Sequence, residues 1–193
     1  MLKKNLLAFF IILTYFQGFG QNNIAIVNKI QGFYIFTDSQ PISDYEVVGE
    51  VTTESHNDSE INRSKGQYQP IRDFLINAAR RVNYTADGLV FSLVNGGNDK
   101  ALIIKFKEKS ANNSHSKVNQ YQGVNVFVDS EPLNEYEYIG SVLDKGKSNI
   151  FQYSDLRDKL IVTCKKEIVN SKAIVLKLVY GGTDTGDVIK FKN

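Results

Sequence analysis

The chain has 193 residues, 42% of them hydrophobic, with a formal net charge of +2 and a single cysteine. One cysteine excludes an intrachain disulfide, and this length suffices for one medium core or two small ones. The interspersed charges disfavour nucleic acid as a partner, because phosphate binding needs a basic surplus on at least one face of the protein.

The first twenty residues, "MLKKNLLAFFIILTYFQGFG", combine a basic start, an apolar run and a glycine-containing end. This pattern is typical of a secretory signal peptide, and the apolar run is shorter than the roughly 20 residues of a membrane span. We therefore predict a signal peptide over 1–20 and an exported protein, periplasmic or secreted, with no membrane span after signal removal. Without Lys3 and Lys4, the mature chain has 21 basic and 21 acidic side chains.

The rest of the chain is a tandem duplication. Residues 27–51 align with 118–142, residues 68–107 align with 153–192, and 27 of the 65 aligned pairs are identical. This alignment predicts a first module over 21–107, a polar linker over 108–117 and a second module over 118–193. The loop 52–67 differs most between the copies and keeps no assigned role.

Each copy begins with two strands, "FYIFT" and "YEVVGEV" in the first copy and "VNVFV" and "YEYIGSV" in the second. A helix follows, which we expect to start at Pro70 in the first copy and behind Ser154 as N-cap in the second. The first helix has a predicted buried stripe at Ile71, Phe74, Leu75, Ala78, Val82 and Ala86. In the second, the stripe is Leu156, Leu160, Cys164 and Ile168.

Two more strands flank the glycine pairs of "NGGND" and "YGGTDTG", which predict hairpins. The fold class expected from these elements is α+β, with two tandem ββαββ modules. Each module would pack one helix on a small, mostly antiparallel sheet. The helical crossover allows the second and third strands of a module to lie parallel, and we expect the two modules to pack together.

Four carboxylates in the repeated turns are the candidate chemical groups. Two of them, Asp38 and Asp129, occupy equivalent positions, and "DSEPLNE" adds Glu131 and Glu135. The interpretation that we favour for them is a solvated turn without a chemical role. Acid/base catalysis on an envelope polymer and binding of a hard cation are the alternatives. The two histidines, His56 and His115, lie in polar segments without counterparts in the other copy. We assign no catalytic residue, metal ligand or cofactor.

Aromatic residues of the first strand form a second candidate surface. If the helix covers the Phe33 side of the sheet, Tyr34, Phe36 and Phe127 are expected on the opposite face. The interpretation that we favour is an interface between the copies, and a binding surface is the alternative. The lone thiol, Cys164, aligns with Ala79 on the helix and is expected to be a small buried side chain.

The order of turn, Tyr-x-x-x-Gly-x-Val strand, helix and "ADG" strand resembles the small α/β domains related to YbjQ and RcsF, which are grouped as heavy-metal-binding-like. The residues concerned are Tyr45, Gly49 and Val51, their counterparts Tyr136, Gly140 and Val142, and Ala86, Asp87 and Gly88. The resemblance implies a non-catalytic envelope module that acts by contact. The chain lacks the paired cysteines of RcsF, and no metal ligands are carried over.

The expected function is therefore a non-catalytic binding or interaction module of the cell envelope, with an unknown protein or envelope component as its partner. A carboxylate-dependent enzyme and a cation-binding module remain the alternatives.

Overall fold

The computed structural model describes residues 22–54, 61, 66–94, 98–144 and 152–192. The predicted signal peptide, His56, most of the loop 52–67 and the first glycine pair lie outside these residues. Strands hold 44% of the described residues. The described chain is therefore mostly β.

The first copy contributes seven strands and one helix. In chain order they are β1 (Ile24–Val27), β2 (Lys29–Ile30), β3 (Phe33–Phe36), β4 (Ser39–Pro41), β5 (Tyr45–Thr52), α1 (Gln69–Val82), β6 (Gly88–Ser92) and β7 (Lys100–Phe106). Five strands form a sheet in the order β2-β3-β6-β7-β5, in which only β3 and β6 pair in parallel. The second and third predicted strands are thus not neighbours, because β7 lies between them.

The second copy repeats this arrangement after a short 3-10 turn at Ala111–Ser114. Its elements are β8 (His115–Val118), β9 (Gln120–Tyr121), β10 (Val124–Val128), β11 (Ser130–Pro132), β12 (Tyr136–Leu143), α2 (Tyr153–Glu167), β13 (Ala173–Lys177) and β14 (Thr185–Phe191). The sheet order is β12-β14-β13-β10-β9, the same connectivity as in the first copy. β8 begins at His115, so the last residues of the predicted linker belong to a strand.

A third sheet joins the copies, in the order β11-β1-β8-β4. At its centre β1 and β8 are antiparallel, with Ala25 opposite Ser116. The outer strands also cross over, since β11 of the second copy pairs with β1 and β4 of the first copy pairs with β8. The shared sheet therefore contains two strands from each copy.

The predicted fold class, α+β with two tandem ββαββ modules, is wrong, because the described chain is mostly β. The described chain forms three sheets and two α-helices, and one of the sheets belongs to both copies. The physical reason is that β1, β4, β8 and β11 are only three or four residues long. Strands this short give little sequence signal, and their hydrogen-bond partners lie in the other copy.

The helix boundaries and stripes also need correction. Pro70 does lie in the first turn of α1, but α2 starts at Tyr153, so Ser154 is inside the helix and is not its N-cap. In α1 the fully buried face holds Ile76 and Ala79, whereas Val82 is 58% exposed. The face is therefore rotated from the predicted stripe, although Ile71 and Leu75 are buried as expected.

One large buried cluster lies between the helices and the helix-facing sides of the two larger sheets, and it contains residues of both copies. Two smaller clusters lie on the opposite faces, under the shared sheet. One of these clusters contains Val27 and Phe36, and the other contains Ala25 and Phe127. The two copies consequently share one main core.

Candidate functional site

The repeated turn places an aspartate in a left-handed backbone conformation in each copy. Asp38 has a φ of 49° and Asp129 a φ of 47°. Aspartate and asparagine tolerate this region better than most residues. The turn carries the chain from β3 or β10 into the shared sheet, and it brings each carboxylate against the helix of the other copy.

Asp38 of the first copy is held by three side chains of the second. The hydroxyls of Tyr153 and Tyr121 donate to its carboxylate at 2.5 and 2.7 Å. Arg157 Nη1 donates at 3.2 Å, and the guanidinium lies 3.7 Å from the centre of the Tyr121 ring. The ion pair is largely desolvated, because the Arg157 side chain is 9% exposed and that of Asp38 11%.

Asp129 of the second copy makes the reciprocal contacts with the first. Tyr68 donates its hydroxyl to the carboxylate at 2.5 Å, and Arg72 Nη1 donates at 3.2 Å. The Tyr68 hydroxyl also lies 2.7 Å from Thr37 Oγ1. A tyrosine equivalent to Tyr121 is missing here, because Ile30 occupies that position.

The two networks meet where the Tyr68 and Tyr153 rings contact, with centroids 5.1 Å apart. Burial, reinforced by the neighbouring aspartates, raises the pKa of both tyrosines well above the ordinary value. Burial and the charge of Asp38 raise the pKa of Tyr121 to about 12. Each hydroxyl therefore keeps its proton at neutral pH and donates a hydrogen bond to a carboxylate. Because the two networks join the copies, we call them together the aspartate lock.

Sequence reasoning missed the partners in this lock. Tyr68, Arg72 and Asp73 recur as Tyr153, Arg157 and Asp158, a Tyr-x-x-x-Arg-Asp pattern in both copies. In each helix the arginine also bonds the following aspartate. The recurrence of this pattern in two diverged copies was the sequence signal that could have identified these partners. The pattern lies at the start of the helix, far along the chain from the aspartate turn that its side chains bind.

The other candidate carboxylates do not join Asp38 and Asp129. Glu131 is exposed and accepts a hydrogen bond from the Tyr136 hydroxyl at 3.1 Å. Glu135 has an 83% exposed side chain and pairs with Lys192 at 3.3 Å. Among the described residues, no group of three or more His, Cys, Asp or Glu side chains is arranged to hold a metal ion.

The candidate aromatic surface is not open to solvent. Phe36 and Phe127 are both 0% exposed and lie in separate buried clusters, each partly covered by the shared sheet. Tyr34 is half-buried and packs edge-on against Phe106, with ring centroids 6.1 Å apart. Cys164 is buried, as expected from its alignment with Ala79.

A cavity of about 420 Å³ opens at the end of the second copy's sheet, beside Phe191. In the first copy the equivalent of Phe191 is Phe106, and the ring of Tyr34 packs against it. The second copy has Asn125 in place of Tyr34, and Asn125 lines the cavity. The smaller side chain accounts for the space.

Four carboxamides line this cavity: Asn22, Gln120, Asn125 and Asn170. Two of them are bonded to each other, since Gln120 Nε2 donates to Asn125 Oδ1 at 3.4 Å, and Asn125 Nδ2 donates to the backbone carbonyl of Asn22 at 3.1 Å. Lysines and an apolar wall complete the lining with Lys172, Lys190, Ile189 and Phe191. The described residues that line it include no carboxylate.

A groove of about 410 Å³ lies between the copies, where the outer face of α1 meets Tyr180. Phe74, Asn77 and Arg81 are among its lining residues. The alignment gives Lys159 in place of Phe74 and Asn95 in place of Tyr180, so this groove is also specific to one side of the pair. Its lining holds both an aspartate, Asp73, and an arginine, and so it has no net charge preference.

Comparison with known proteins found no match, since no family model, no curated protein and no solved structure is significantly similar to the chain. Within the residues that the structure describes, no helix is long and apolar enough to cross a membrane.

Proposed function

We propose that the protein is an exported, non-catalytic binding protein whose ligand site is the cavity beside Phe191. The observation that carries the proposal is the difference between the copies at one structural position. Tyr34 occupies the end of the first sheet, whereas Asn125 leaves a polar cavity in the second. Ligand sites are typically concave, with an apolar wall and a few polar groups.

The surroundings of the aspartates support a binding role over catalysis. A carboxylate-dependent enzyme on a polymer of sugars would need two carboxyl groups that face a common cleft and exchange protons with the substrate. Asp38 and Asp129 instead accept bonds from tyrosines and arginines in a largely buried interface. The resemblance to the YbjQ and RcsF domains and the signal-like leader belong to the same proposal of an envelope protein that acts by contact.

The proposal is tested by a screen of small polar fragments against the ¹⁵N-labelled mature chain, followed by amide NMR shifts. We expect fragments whose shifts cluster at Asn125, Lys172 and Phe191. Asn125→Tyr, which introduces the residue of the first copy, should abolish these shifts while the melting temperature stays near that of the wild type.

The matched control is Tyr34→Phe, which keeps the first-copy ring and should leave binding intact. Shifts that cluster in the groove beside Tyr180, or that persist in Asn125→Tyr, would place the site elsewhere. A complete absence of binding by the library would refute the binding proposal.

A further inference from the structure

The charge at the mouth of the cavity differs between the copies. Lys172 replaces Asp87, whose carboxylate accepts a bond from the Phe106 amide at 2.9 Å in the first copy. The replacement exchanges a negative for a positive side chain at one structural position. With no acidic residue among its described lining residues, the cavity favours an anion at this position.

The side chain of Lys190 does not face the same way as the apolar wall. Side chains alternate along a strand, so Lys190 points to the opposite face of β14 from Ile189 and Phe191, where its Nζ lies 3.5 Å from Glu137 Oε1. Lys172 is therefore the lysine side chain that the cavity offers to an anion.

The carboxamides are suited to hydroxyl groups. An amide side chain offers two N–H donors and an oxygen with two lone pairs, so it can bond adjacent hydroxyls that each donate and accept. Asn125 is only 8% exposed, and its bond to the Asn22 carbonyl fixes its orientation. A second bond, from Asn134 Nδ2 to Asn22 Oδ1 at 3.0 Å, holds Asn22. Asn125 is thus pre-organised, which limits the entropy lost when it binds a ligand.

Phe191 and Ile189 give the cavity an apolar side. The C–H face of a pyranose ring is apolar and packs on an aromatic ring, while its hydroxyls remain at the edge for hydrogen bonding. A volume of about 420 Å³ is within the range of small-molecule sites. The apolar wall, the carboxamides and Lys172 together match a sugar ring that carries a negative charge.

We infer that the cavity beside Phe191 binds a sugar with a carboxylate substituent, such as a uronic acid unit of an acidic polysaccharide. This inference rests on the proposed binding function and specifies its ligand. Lys172 contacts the carboxylate, the carboxamides bond the ring hydroxyls, and Phe191 packs against the ring.

The experiment titrates the labelled mature chain with four probes: glucuronate, glucose, acetate and glucose 6-phosphate. Glucuronate should shift the amides of Asn125, Lys172 and Phe191 and bind at least about tenfold more tightly than glucose or acetate, because a charge-assisted bond adds to the hydroxyl contacts. Glucose 6-phosphate should bind more weakly than glucuronate. Lys172→Gln should lower glucuronate affinity about tenfold and leave glucose binding unchanged.

The matched control is Lys105→Gln, which removes the lysine equivalent to Lys190 from the first copy and should change nothing. Equal binding of glucose and glucuronate would overturn the acidic class but leave a sugar site. Equal binding of acetate and glucuronate would reduce the site to an anion site without sugar recognition, and tighter binding of glucose 6-phosphate would identify phosphate as the charged group.

The two proposals fail in distinguishable ways. If fragments bind at Asn125 but none of the four probes does, the acidic-sugar class is wrong and the binding function stands. If neither fragments nor probes bind, both proposals fall.

Discussion

The two copies are alike at the aspartate turns and differ at the ends of their sheets. At the turns, each copy presents an aspartate in a left-handed conformation to the tyrosine and arginine of the other helix. At the ends of the sheets, Tyr34 faces Phe106 in one copy, whereas Asn125 leaves a cavity beside Phe191 in the other. Duplication has thus kept the contact at the aspartates, while the position of Tyr34 and Asn125 has diverged.

The aspartate lock gives the largest expected effect. Asp38→Asn removes the charge that pairs with Arg157 and keeps the shape of the side chain, and asparagine also tolerates the positive φ. Breaking a buried ion pair typically costs 3–5 kcal/mol. Because Arg157 keeps its bond to Asp158, we expect a loss of about 3 kcal/mol in the free energy of unfolding, measured by urea denaturation.

The reciprocal variant turns this into a comparison. Asp129→Asn should cost less than Asp38→Asn, because Asp129 has one tyrosine donor where Asp38 has two, and its side chain is 17% exposed compared with 11%. The control is Asp44→Asn, which affects an 86% exposed side chain and should be nearly neutral. Equal losses for Asp38→Asn and Asp44→Asn would show that the lock does not stabilise the fold.

A size exchange in the main core gives the next effect. Gly186 of β14 faces Ile174, and a Cβ at Gly186 would clash with Ile174 Cδ1. The first copy has Ala101 and Leu89 at these positions. Gly186→Ala should therefore destabilise the protein by about 1.5 kcal/mol through overpacking, partly offset by the better strand preference of alanine.

The first copy also supplies the compensating change. Gly186→Ala with Ile174→Leu reproduces its pair, and the double variant should unfold at a higher urea concentration than Gly186→Ala alone. Purely additive losses in this double-mutant cycle would mean that the two positions do not share one space.

The sequence predicted the parts that depend on local pattern and repetition. The alignment at offsets of 91 and 85 identified both copies, and the alternation in "FYIF" and "YEVVGEV" matched β3 and β5. Hydrophobic spacing also placed Leu156, Leu160 and Cys164 on the buried face of α2. When a hydrophobic pattern recurs in two diverged copies, one secondary structure must fit both sequences, and few assignments do so.

Contacts between distant residues could not be predicted in the same way. The pairing of Ala25 with Ser116 joins strands about ninety residues apart, and neither strand has a pattern that names its partner. The prediction of a solvated turn was wrong for Asp38, because its carboxylate is largely buried against Tyr153 and Arg157. Predicting these partners required the relative placement of the copies. The alignment shows Asn125 at the position of Tyr34. Whether this exchange opens a cavity depends on the neighbouring Phe191, whose place beside Asn125 follows from the strand order.

The smallest expected effect is a change in stability, dependent on pH, that comes from Tyr121 on the Asp38 side of the aspartate lock. Tyr121 donates to Asp38, and the first copy has Ile30 at the equivalent position. Tyr121→Phe removes this bond but keeps the ring beside Arg157, so we expect a loss of about 1 kcal/mol at neutral pH, measured by urea denaturation. The loss is modest because Asp38 keeps Tyr153 and Arg157 as partners.

The pH dependence follows from the raised pKa of Tyr121, about 12 in the folded protein compared with 10.0 ordinarily. Above pH 10 the unfolded chain loses this proton first, so the folded state binds more protons and stability falls as pH rises toward 12. Tyr121→Phe should lose less stability than the wild type over this range, although Tyr68 and Tyr153 leave a residual slope. Tyrosinate absorbance, titrated in the folded protein and in urea, checks the assignment. Parallel stability curves for the variant and the wild type would mean that Tyr121 ionises in the folded protein as it does in the unfolded chain.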